Sequence, residues 1–231
     1  MIPNYFRNMI CVVVGLVCAT GYGKELPDLI ARLQKLDGKE PIRGVVHIED
    51  HTPGKKDKES KQPEKADLII TADANELTLT VTGDISNNRI FREFSLLRAG
   101  ELMLYGPSLA RELAGLKLVE KLPDSYEGLP CTRWRLESEE KQSKLGMSST
   151  RRRDVELWID ADGYPLAAFF KTQIKASVLL FKVSSESARQ QRYKRLGGRL
   201  ILVLDRNETD VKTKAGDEKR TVTTKVEVKK D

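Results

Sequence analysis

The sequence predicts an α+β protein that is mainly antiparallel β: a curved sheet or incomplete β-barrel covered by a few short helices. From residue 126 to the C-terminus, strand-length stretches alternate apolar with polar residues, which is typical of half-buried strands. Polar turns separate these stretches, and few helices intervene that would cross over to a parallel neighbour. Strands that follow one another directly pair in antiparallel fashion, so we expect a meander.

The first 23 residues predict a cleavable secretory signal. Arg7 precedes an apolar run over residues 9–19, and small residues separate that run from a polar segment. This order is that of a signal peptide, and the run falls short of the roughly 20 apolar residues that span a membrane. A valine stands before Cys18 where a lipid-attachment motif requires a small residue, which disfavours a lipid anchor. We therefore expect a periplasmic protein whose residues 24–231 form one domain.

Cysteine content and charge narrow the classes of protein further. With the signal removed, Cys131 is the only cysteine, so no disulfide within the chain is expected and the core alone holds the fold. The chain has 40 basic and 34 acidic residues, which lie among one another along nearly its whole length. A nucleic-acid binder concentrates its basic residues on one face, so nucleic acid is not an expected partner. A weak contact with an anionic membrane surface is compatible with the small excess of basic over acidic residues.

The segment LPDLIARLQKLDG, residues 26–38, is expected to form the first helix. Pro27 suits the first turn of a helix, and Gly38 suits its end. The apolar side chains on one face are Leu29, Ile30, Leu33 and Leu36. A helix with one apolar stripe needs a partner surface, which the sheet would supply.

A strand, a charged loop and a hairpin are expected next. PIRGVVHIED places Ile42, Val46 and Ile48 on one side of a strand. Residues 52–66 contain no large apolar residue and hold two prolines among charged residues, so they predict a mobile surface loop. DLIITADANELTLTVTGD then gives two strand-length runs around a polar turn, which indicates a β-hairpin.

The middle of the chain is less regular. RIFREFSLLRAGELMLYG, residues 89–106, is interpreted as strand with irregular alternation. PSLARELAGL, which follows it, predicts a short helix that opens at Pro107.

The last hundred residues predict consecutive strands. CTRWRLES and DVELWID each alternate clearly. YPLAAFFKTQIKASVLLFKVSS is long enough for one long strand or two joined by a kink, and RLILVLDRNET gives another strand. In the final strand, RTVTTKVEVKK, the inward side chains are expected to be Val222, Thr224, Val226 and Val228.

The tetrapeptide DADG, residues 160–163, has two incompatible interpretations. In a calcium-binding EF-hand loop with Gly163 at position 6, positions 1 and 12 would be Trp158 and Phe169, and neither can ligate calcium. A hairpin turn needs only short polar residues and a glycine between two apolar runs, and all of these are present. We therefore predict a turn and no metal site.

Motifs that resemble catalytic sites also have simpler explanations. His47 and His51 lie on a predicted strand or at its end, with no third cysteine or histidine near in sequence. GPSLA imitates a nucleophile elbow, but both histidines precede Ser108, whereas a hydrolase of that type needs its histidine downstream. Ser138 and Lys141 match a Ser-x-x-Lys pair within a highly charged segment, where a lysine keeps its ordinary basicity.

Three further features of the sequence do not indicate a reactive or ligand-binding site. Cys131 lies on the charged side of its strand near Arg133, which would lower the pKa of its thiol, but no histidine is expected beside it. RLGGRL is too short to cradle a phosphate and opens a strand rather than a helix. TRRRD, residues 150–154, is expected to face solvent or an anionic surface. The sequence thus predicts a protein that is not an enzyme, with no catalytic residue, metal or cofactor.

The combination of an N-terminal helix with YEGLPCTRWRLE and VELWIDADGYPLAAFF resembles the periplasmic lipoprotein-carrier superfamily of LolA, LolB and LppX type. In that superfamily a Gly-x-x-Cys/Ala-x-x-x-x-Leu strand precedes a strand that ends in Leu-Trp-Ile-Asp, and a hairpin leads into Pro-Leu. The matching residues here are Gly128, Cys131, Leu136, Leu157, Trp158, Ile159, Asp160, Pro165 and Leu166.

The resemblance implies an incomplete barrel around a helical lid, with an apolar concavity that holds acyl chains of a lipid or lipoprotein. Burying each methylene contributes roughly 0.8 kcal/mol, so binding would need no reactive side chain. The expected lining residues are Trp134, Leu136, Leu157 and Phe170, which would equally serve as core between sheet and helices. The alternative is a module that binds another envelope protein with the same fold and no cavity. A roomy pocket would favour the first function, and an exposed apolar patch the second.

Overall fold

The computed structural model describes residues 23–38, 40–51, 64–72, 77–82, 94–144, 147–178, 181–213 and 216–230. The predicted signal peptide, except for Gly23, lies outside these residues, as do residues 52–63 of the predicted loop. A strand begins at Glu64. The last three residues of the predicted loop, 64–66, therefore belong to a strand, which corrects the end of that loop.

Among the described residues, three helices and ten strands make up the fold. The helices are α1 (Glu25–Gln34), α2 (Leu96–Met103) and α3 (Gly106–Leu113). The first five strands are β1 (Ile42–His51), β2 (Glu64–Ala72), β3 (Leu77–Thr82), β4 (Lys117–Tyr126) and β5 (Leu129–Lys144). The remaining strands are β6 (Met147–Ile159), β7 (Pro165–Val178), β8 (Phe181–Leu196), β9 (Arg199–Thr213) and β10 (Gly216–Lys230).

All ten strands form one sheet in the order β3-β2-β1-β10-β9-β8-β7-β6-β5-β4. Every neighbouring pair is antiparallel. The sheet is not closed into a barrel, since β3 and β4 are its two edges. The predicted fold class, mainly antiparallel β with a few short helices, is confirmed. The meander prediction holds from β4 to β10, whereas β1 pairs with the last strand instead of only with its successor.

Three bulges interrupt the ladders of the sheet. The extra residues are Val119 in β4, Leu166 in β7 and Val203 in β9. A bulge bends its strand and increases the local right-handed twist. The bulges therefore help the sheet to curve around the helices.

The helices cover one end of one face, which we call the inner face; the opposite face is the outer face. α1 buries Leu29 and Leu33 completely and packs against α3. α2 and α3 pack against β9, and α2 also contacts β2 and β3. One continuous apolar core joins these helices to the sheet. The predicted first helix is confirmed, with Leu29 and Leu33 buried, but it ends at Gln34 rather than near Gly38. Ile30 is only partly buried, and Leu36 packs against the core from beyond the end of the helix. The helix predicted from Pro107 is also confirmed.

The long strands extend beyond the helices. β8 and β9 have 16 and 15 residues, which corresponds to about 50 Å of strand. Along the inner face of β9, Leu202 is fully buried, whereas Thr209 and Val211 are only half-buried. On β10 the inner face runs from buried Val226 to exposed Glu218. The inner face beyond the helices, which we call the open half, is therefore partly accessible to solvent.

The segment over residues 89–106 was predicted as strand, and that prediction is wrong for its described part. Ser95 caps α2 by accepting a hydrogen bond at Oγ from the backbone nitrogen of Arg98, at 3.3 Å. Ala99, Leu102 and Met103 are buried on one face of the helix. Their spacing of three and four residues matches a helix, and the adjacent leucines hid this period in the sequence.

Two further differences concern strands. β4 has no clear counterpart in the predicted elements because it is an edge strand whose residues are mostly exposed, with Pro123 within it. YPLAAFFKTQIKASVLLFKVSS forms two strands, β7 and the start of β8, which agrees with one of the two predicted arrangements; the strands pair with each other instead of continuing past a kink. Apolar residues continue from one strand into the next in the sequence, so the usual polar turn signal is missing.

Candidate functional site

A cavity of about 620 Å³ lies on the inner face of the sheet, beside the start of α2. Its walls come from the inner faces of β1, β8, β9 and β10, together with the start of α2. The apolar residues of the lining are Ile48, Phe94, Val211 and Val222. The polar lining consists of Asp50, Arg98, Arg189, Asp205, Asn207, Thr209, Glu218, Arg220 and Thr224. The cavity is therefore amphipathic, with apolar and charged walls.

Asp205 anchors the charged floor of this cavity. Its carboxylate accepts hydrogen bonds from Arg189 Nε at 2.6 Å and Arg189 Nη2 at 2.8 Å. Arg98 Nη2 from helix α2 donates to the same carboxylate at 2.7 Å. Asp205 is buried, so these charge-assisted bonds replace the water that the carboxylate loses. The pairing ties the first turn of α2 to the centre of the sheet.

Arg189 also joins the floor to a polar network under helix α3. Its Nη1 donates to Glu112 at 2.9 Å and its Nη2 to the Tyr105 hydroxyl at 3.2 Å. Burial alone would disfavour the charged guanidinium, but its hydrogen bonds and its attraction to Asp205 outweigh this and raise the pKa of Arg189 above its ordinary value. Arg189 thus stays protonated at every physiological pH.

Two tyrosines and a glutamine complete the network. The Gln191 amide lies between the hydroxyls of Tyr105 and Tyr193, and the two rings stack with centroids 5.9 Å apart. Burial raises the pKa of both tyrosines well above the ordinary value. These hydroxyls therefore remain neutral and act as hydrogen-bonding groups. The network thus separates the covered core from the cavity, and its polar groups are hydrogen-bonded to one another.

A second ion pair lies on the opposite wall. Arg220 Nη2 of β10 donates to Asp50 Oδ2 of β1 at 2.7 Å, and Asp50 is almost fully buried. Both walls thus present paired charges beside apolar side chains. Such a lining can accept a molecule with an apolar chain and a polar group, because the chain meets the apolar residues while the polar group finds hydrogen-bonding partners.

The structure places the four predicted ligand-binding residues in the covered core. Leu136 and Leu157 are completely buried, and Trp134 and Phe170 are 5% and 7% exposed. None of the four lines the cavity beside α2. All four belong to the continuous core between the helices and the sheet. The cavity is therefore built from other residues than those predicted.

The described residues bring together none of the catalytic groups considered in the sequence. Ser108 Oγ accepts a hydrogen bond from Arg111 at 3.0 Å. His47 Nδ1 lies 2.8 Å from Asp67 on the outer face of β1 and β2, away from α3. Lys141 forms an exposed ion pair with Glu139 at 2.6 Å, which raises the pKa of Lys141. Within the described ranges no group of three or more metal-ligating side chains occurs.

Residues 160–163 form the predicted turn. The Gly163 nitrogen donates to the Asp160 carbonyl at 3.0 Å, and the Tyr164 nitrogen donates to Asp160 Oδ1 at 2.8 Å. Gly163 has φ of +79°, a conformation that glycine adopts at little cost. Arg195 pairs with Asp162 at 2.7 Å. The predicted turn is thus confirmed, and the carboxylate of Asp160 holds it, whereas that of Asp162 pairs with an arginine of β8.

Replacing Asp160 by alanine is expected to lower the free energy of unfolding by about 1 kcal/mol, because the Tyr164 nitrogen loses its side-chain acceptor. Asp162→Ala removes only an exposed ion pair and is expected to change the free energy of unfolding by less than about 0.5 kcal/mol. Urea unfolding of the two variants measures both changes. Added calcium should leave the unfolding midpoint of the unmodified protein unchanged, and a calcium-dependent rise would instead indicate a metal site.

Two expectations about single residues are wrong. Burial raises the pKa of the Cys131 thiol, and the nearby Asp124 carboxylate raises it further. Arg133 does not lower it, because that guanidinium lies against Asp124 and Glu156. In the TRRRD segment, Arg153 turns inward and donates to the Glu112 carbonyl at 2.6 Å, so this arginine does not face solvent as predicted.

The charged residues of the cavity were missed in the sequence because they are far apart. Arg98 and Asp205 are separated by 107 positions. One signal was nevertheless present: the apolar run RLILVL is followed directly by an aspartate on the strand. Alternation from Leu202 would put Asp205 on the outer face, however, and only the extra residue Val203 in β9 brings it to the inner face.

Comparisons of the chain with known families and curated proteins found no match. No protein-family model matches it, and no curated protein is similar enough to match. Among the described helices none is long and apolar enough to cross a membrane.

Proposed function

We propose that this chain is an exported, non-enzymatic envelope protein that binds an amphiphile, such as a lipid or the acyl part of a lipoprotein, in the cavity beside α2. The observation that carries the proposal is the combination of apolar wall and paired charges in one cavity of about 620 Å³. This volume lies within the range of roughly 300 to 1,000 Å³ that is common for small-molecule sites. The resemblance to the lipoprotein-carrier superfamily supports the same function.

Binding would depend mainly on the apolar surface that leaves water. Ten buried methylenes would contribute about 8 kcal/mol before the entropic cost of association is subtracted. Ile48, Phe94, Val211 and Val222 offer the surface for this contact. The polar head of the ligand would lie toward Arg98 and Arg220, whose carboxylate partners keep the site close to neutral.

Native mass spectrometry of the protein isolated from its own cell envelope tests the proposal directly. We expect a co-purifying amphiphile that organic extraction removes. A protein that carries no such molecule, and that also fails to bind a fluorescent long-chain fatty acid or a lysophospholipid, would overturn the proposal.

Filling the cavity should abolish this binding. Thr209 lines the cavity, whereas its neighbour Glu208 is exposed on the outer face. We expect Thr209→Trp to weaken binding of a fluorescent long-chain fatty acid at least ten-fold, because the indole occupies the volume of the ligand. Glu208→Trp adds the same side chain outside the cavity and should leave the dissociation constant within two-fold. Equal affinities of both variants would place the ligand elsewhere.

The alternative function, binding of another envelope protein, is favoured by a separate observation. On the outer face, Leu122, Leu129 and Phe169 are 39%, 56% and 36% exposed. The rings of Tyr126 and Trp158 lie beside them with centroids 5.5 Å apart. Exposed apolar and aromatic residues in one patch are common at protein interfaces. Detection of a bound protein subunit instead of an amphiphile in the native mass spectrum would support this alternative.

A further inference from the structure

Three lysines gather on the outer face at the end of the sheet that the helices leave uncovered. Lys175 of β7 lies opposite Ser184 of β8, which lies opposite Lys212 of β9. Lys182 of β8 lies opposite Ser177 in the next outer-face row. Neighbouring strands are about 4.8 Å apart, so the three cations share one small area. We call Lys175, Lys182 and Lys212 the lysine patch.

The lysine patch surrounds a shallow pocket of about 560 Å³. Besides the lysines, the outer-face side chains of its lining are the hydroxyls of Ser148, Thr150, Ser177 and Ser184, and the lining contains no carboxylate. Within the described part of the chain, no ion pair engages any of the three lysines. The nearest carboxylate in register is Asp217, opposite Lys212 on β10, and it does not line the pocket.

This arrangement fits a multivalent anion. Like charges on adjacent strands repel one another, and no carboxylate lines the pocket to offset them. Ammonium and hydroxyl groups donate hydrogen bonds, and phosphate oxygens accept them. A surface of several phosphates would engage all three lysines together.

The location relates the patch to the cavity. Val211 lines the cavity from the inner face and directly precedes Lys212. Glu218, which also lines the cavity and lies opposite Val211, is exposed. Ile174 and Val183, on the inner face of the same strand ends, are 37% and 41% exposed. The uncovered end of the sheet therefore combines exposed lining of the cavity, exposed apolar residues and the three lysines.

We propose that the lysine patch binds the phosphates of anionic phospholipids and thereby holds the open end of the cavity against a membrane surface. Its role in loading or unloading the cavity rests on the proposed amphiphile-binding function, but membrane docking itself does not. Each lysine near an anionic bilayer increases partitioning roughly five-fold. Three lysines together therefore account for a factor of about a hundred.

Vesicle co-sedimentation tests the docking. The variant Lys175→Gln/Lys182→Gln/Lys212→Gln is compared with Lys117→Gln/Lys194→Gln/Lys225→Gln, which removes three exposed lysines elsewhere on the sheet and changes the net charge equally. We expect the unmodified protein to bind phosphatidylglycerol vesicles and not phosphatidylcholine vesicles. The patch variant should lose about a hundred-fold in partitioning, and the matched variant less than about ten-fold. Because all six side chains are exposed, both variants should fold, which circular dichroism verifies.

Other outcomes would overturn the docking proposal. Equal losses in the two triple variants would mean that only net charge matters. Equal binding to both kinds of vesicle would exclude headgroup charge as the cause. Displacement by millimolar inorganic phosphate at constant ionic strength would indicate a site for soluble phosphate, and patch-dependent capture of an acidic protein without vesicle binding would indicate a protein partner.

The same variants separate this proposal from the function of the cavity. Binding of a fluorescent long-chain fatty acid in vesicle-free solution should be equal in the unmodified protein and the patch variant. If the unmodified protein binds the fatty acid but no anionic vesicle, membrane docking is wrong and the cavity function stands. If it binds vesicles through the patch but no amphiphile in solution, the cavity function is wrong and docking stands.

Discussion

Replacing Leu136 by alanine is expected to lower the free energy of unfolding by about 2 to 5 kcal/mol. Leu136 is completely buried on β5, and its side chain belongs to the continuous core between sheet and helices. Truncation removes buried methyl groups and leaves a void that the surrounding residues fill only in part. Urea unfolding followed by circular dichroism measures the change.

Leu129→Ala is the matched control, because the same substitution occurs on the same strand at a residue that is 56% exposed. Little buried contact is lost there, so a change below about 0.5 kcal/mol is expected. Comparing the two variants also tests whether Leu136 lines a ligand cavity. If Leu136 lined an open, hydrated cavity, its truncation would leave no new void and would cost far less than the range given above. A loss below about 1 kcal/mol would thus restore Leu136 as a ligand-binding candidate.

The second large effect is expected at the cavity floor. Arg189→Ala should lower the free energy of unfolding by about 3 kcal/mol, because removing one partner of a buried ion pair leaves the other without compensation for its lost hydration. Asp205 would keep only Arg98, and Glu112 would lose its cation. Breaking the bonds to Tyr105 would also disturb the network under α3.

Arg206→Ala provides the control for Arg189→Ala. Arg206 pairs with Glu208 at 2.7 Å, but both side chains are about half exposed, at 53% and 51%. An exposed ion pair of this kind contributes at most about 1 kcal/mol. Equal losses for the two arginines would show that the floor of the cavity is hydrated and that its charges are not structurally coupled to the helices.

The buried network explains how the same face of the sheet forms a packed core at one end and a cavity at the other. Under the helices the inner face carries fully buried leucines, while beyond Asp205 the same face lines a cavity. Arg98, Arg189 and Asp205 lie at the boundary. Because their bonds join α2 to the sheet, the helix is held at a fixed position where the cavity begins. An amphiphile would therefore enter a preformed space, which reduces the ordering cost of binding.

Periodicity in the sequence was sufficient for much of the fold. The alternation in β5, β6 and β10 identified half-buried strands, and the short spacing between strands implied antiparallel pairing. The stripe that includes Leu29 and Leu33 identified α1 and its buried face. The residues of the turn at 160–163 also determined its conformation, because the hydrogen bonds of Asp160 and the positive φ of Gly163 are local properties.

What the sequence left open depended on contacts between distant residues. Trp134, Leu136, Leu157 and Phe170 were recognised as inward-facing, but a period of two residues does not say whether helices or solvent cover that face. The floor of the cavity joins α2 to β9 across 107 positions, and the lysine patch forms only because the register of β7, β8 and β9 aligns its members. By itself, the sequence determined which residues form strands and which side of each is apolar. Only tertiary packing decided where that apolar side is filled and where it remains open, because short helices cover just one end of strands that are about 50 Å long.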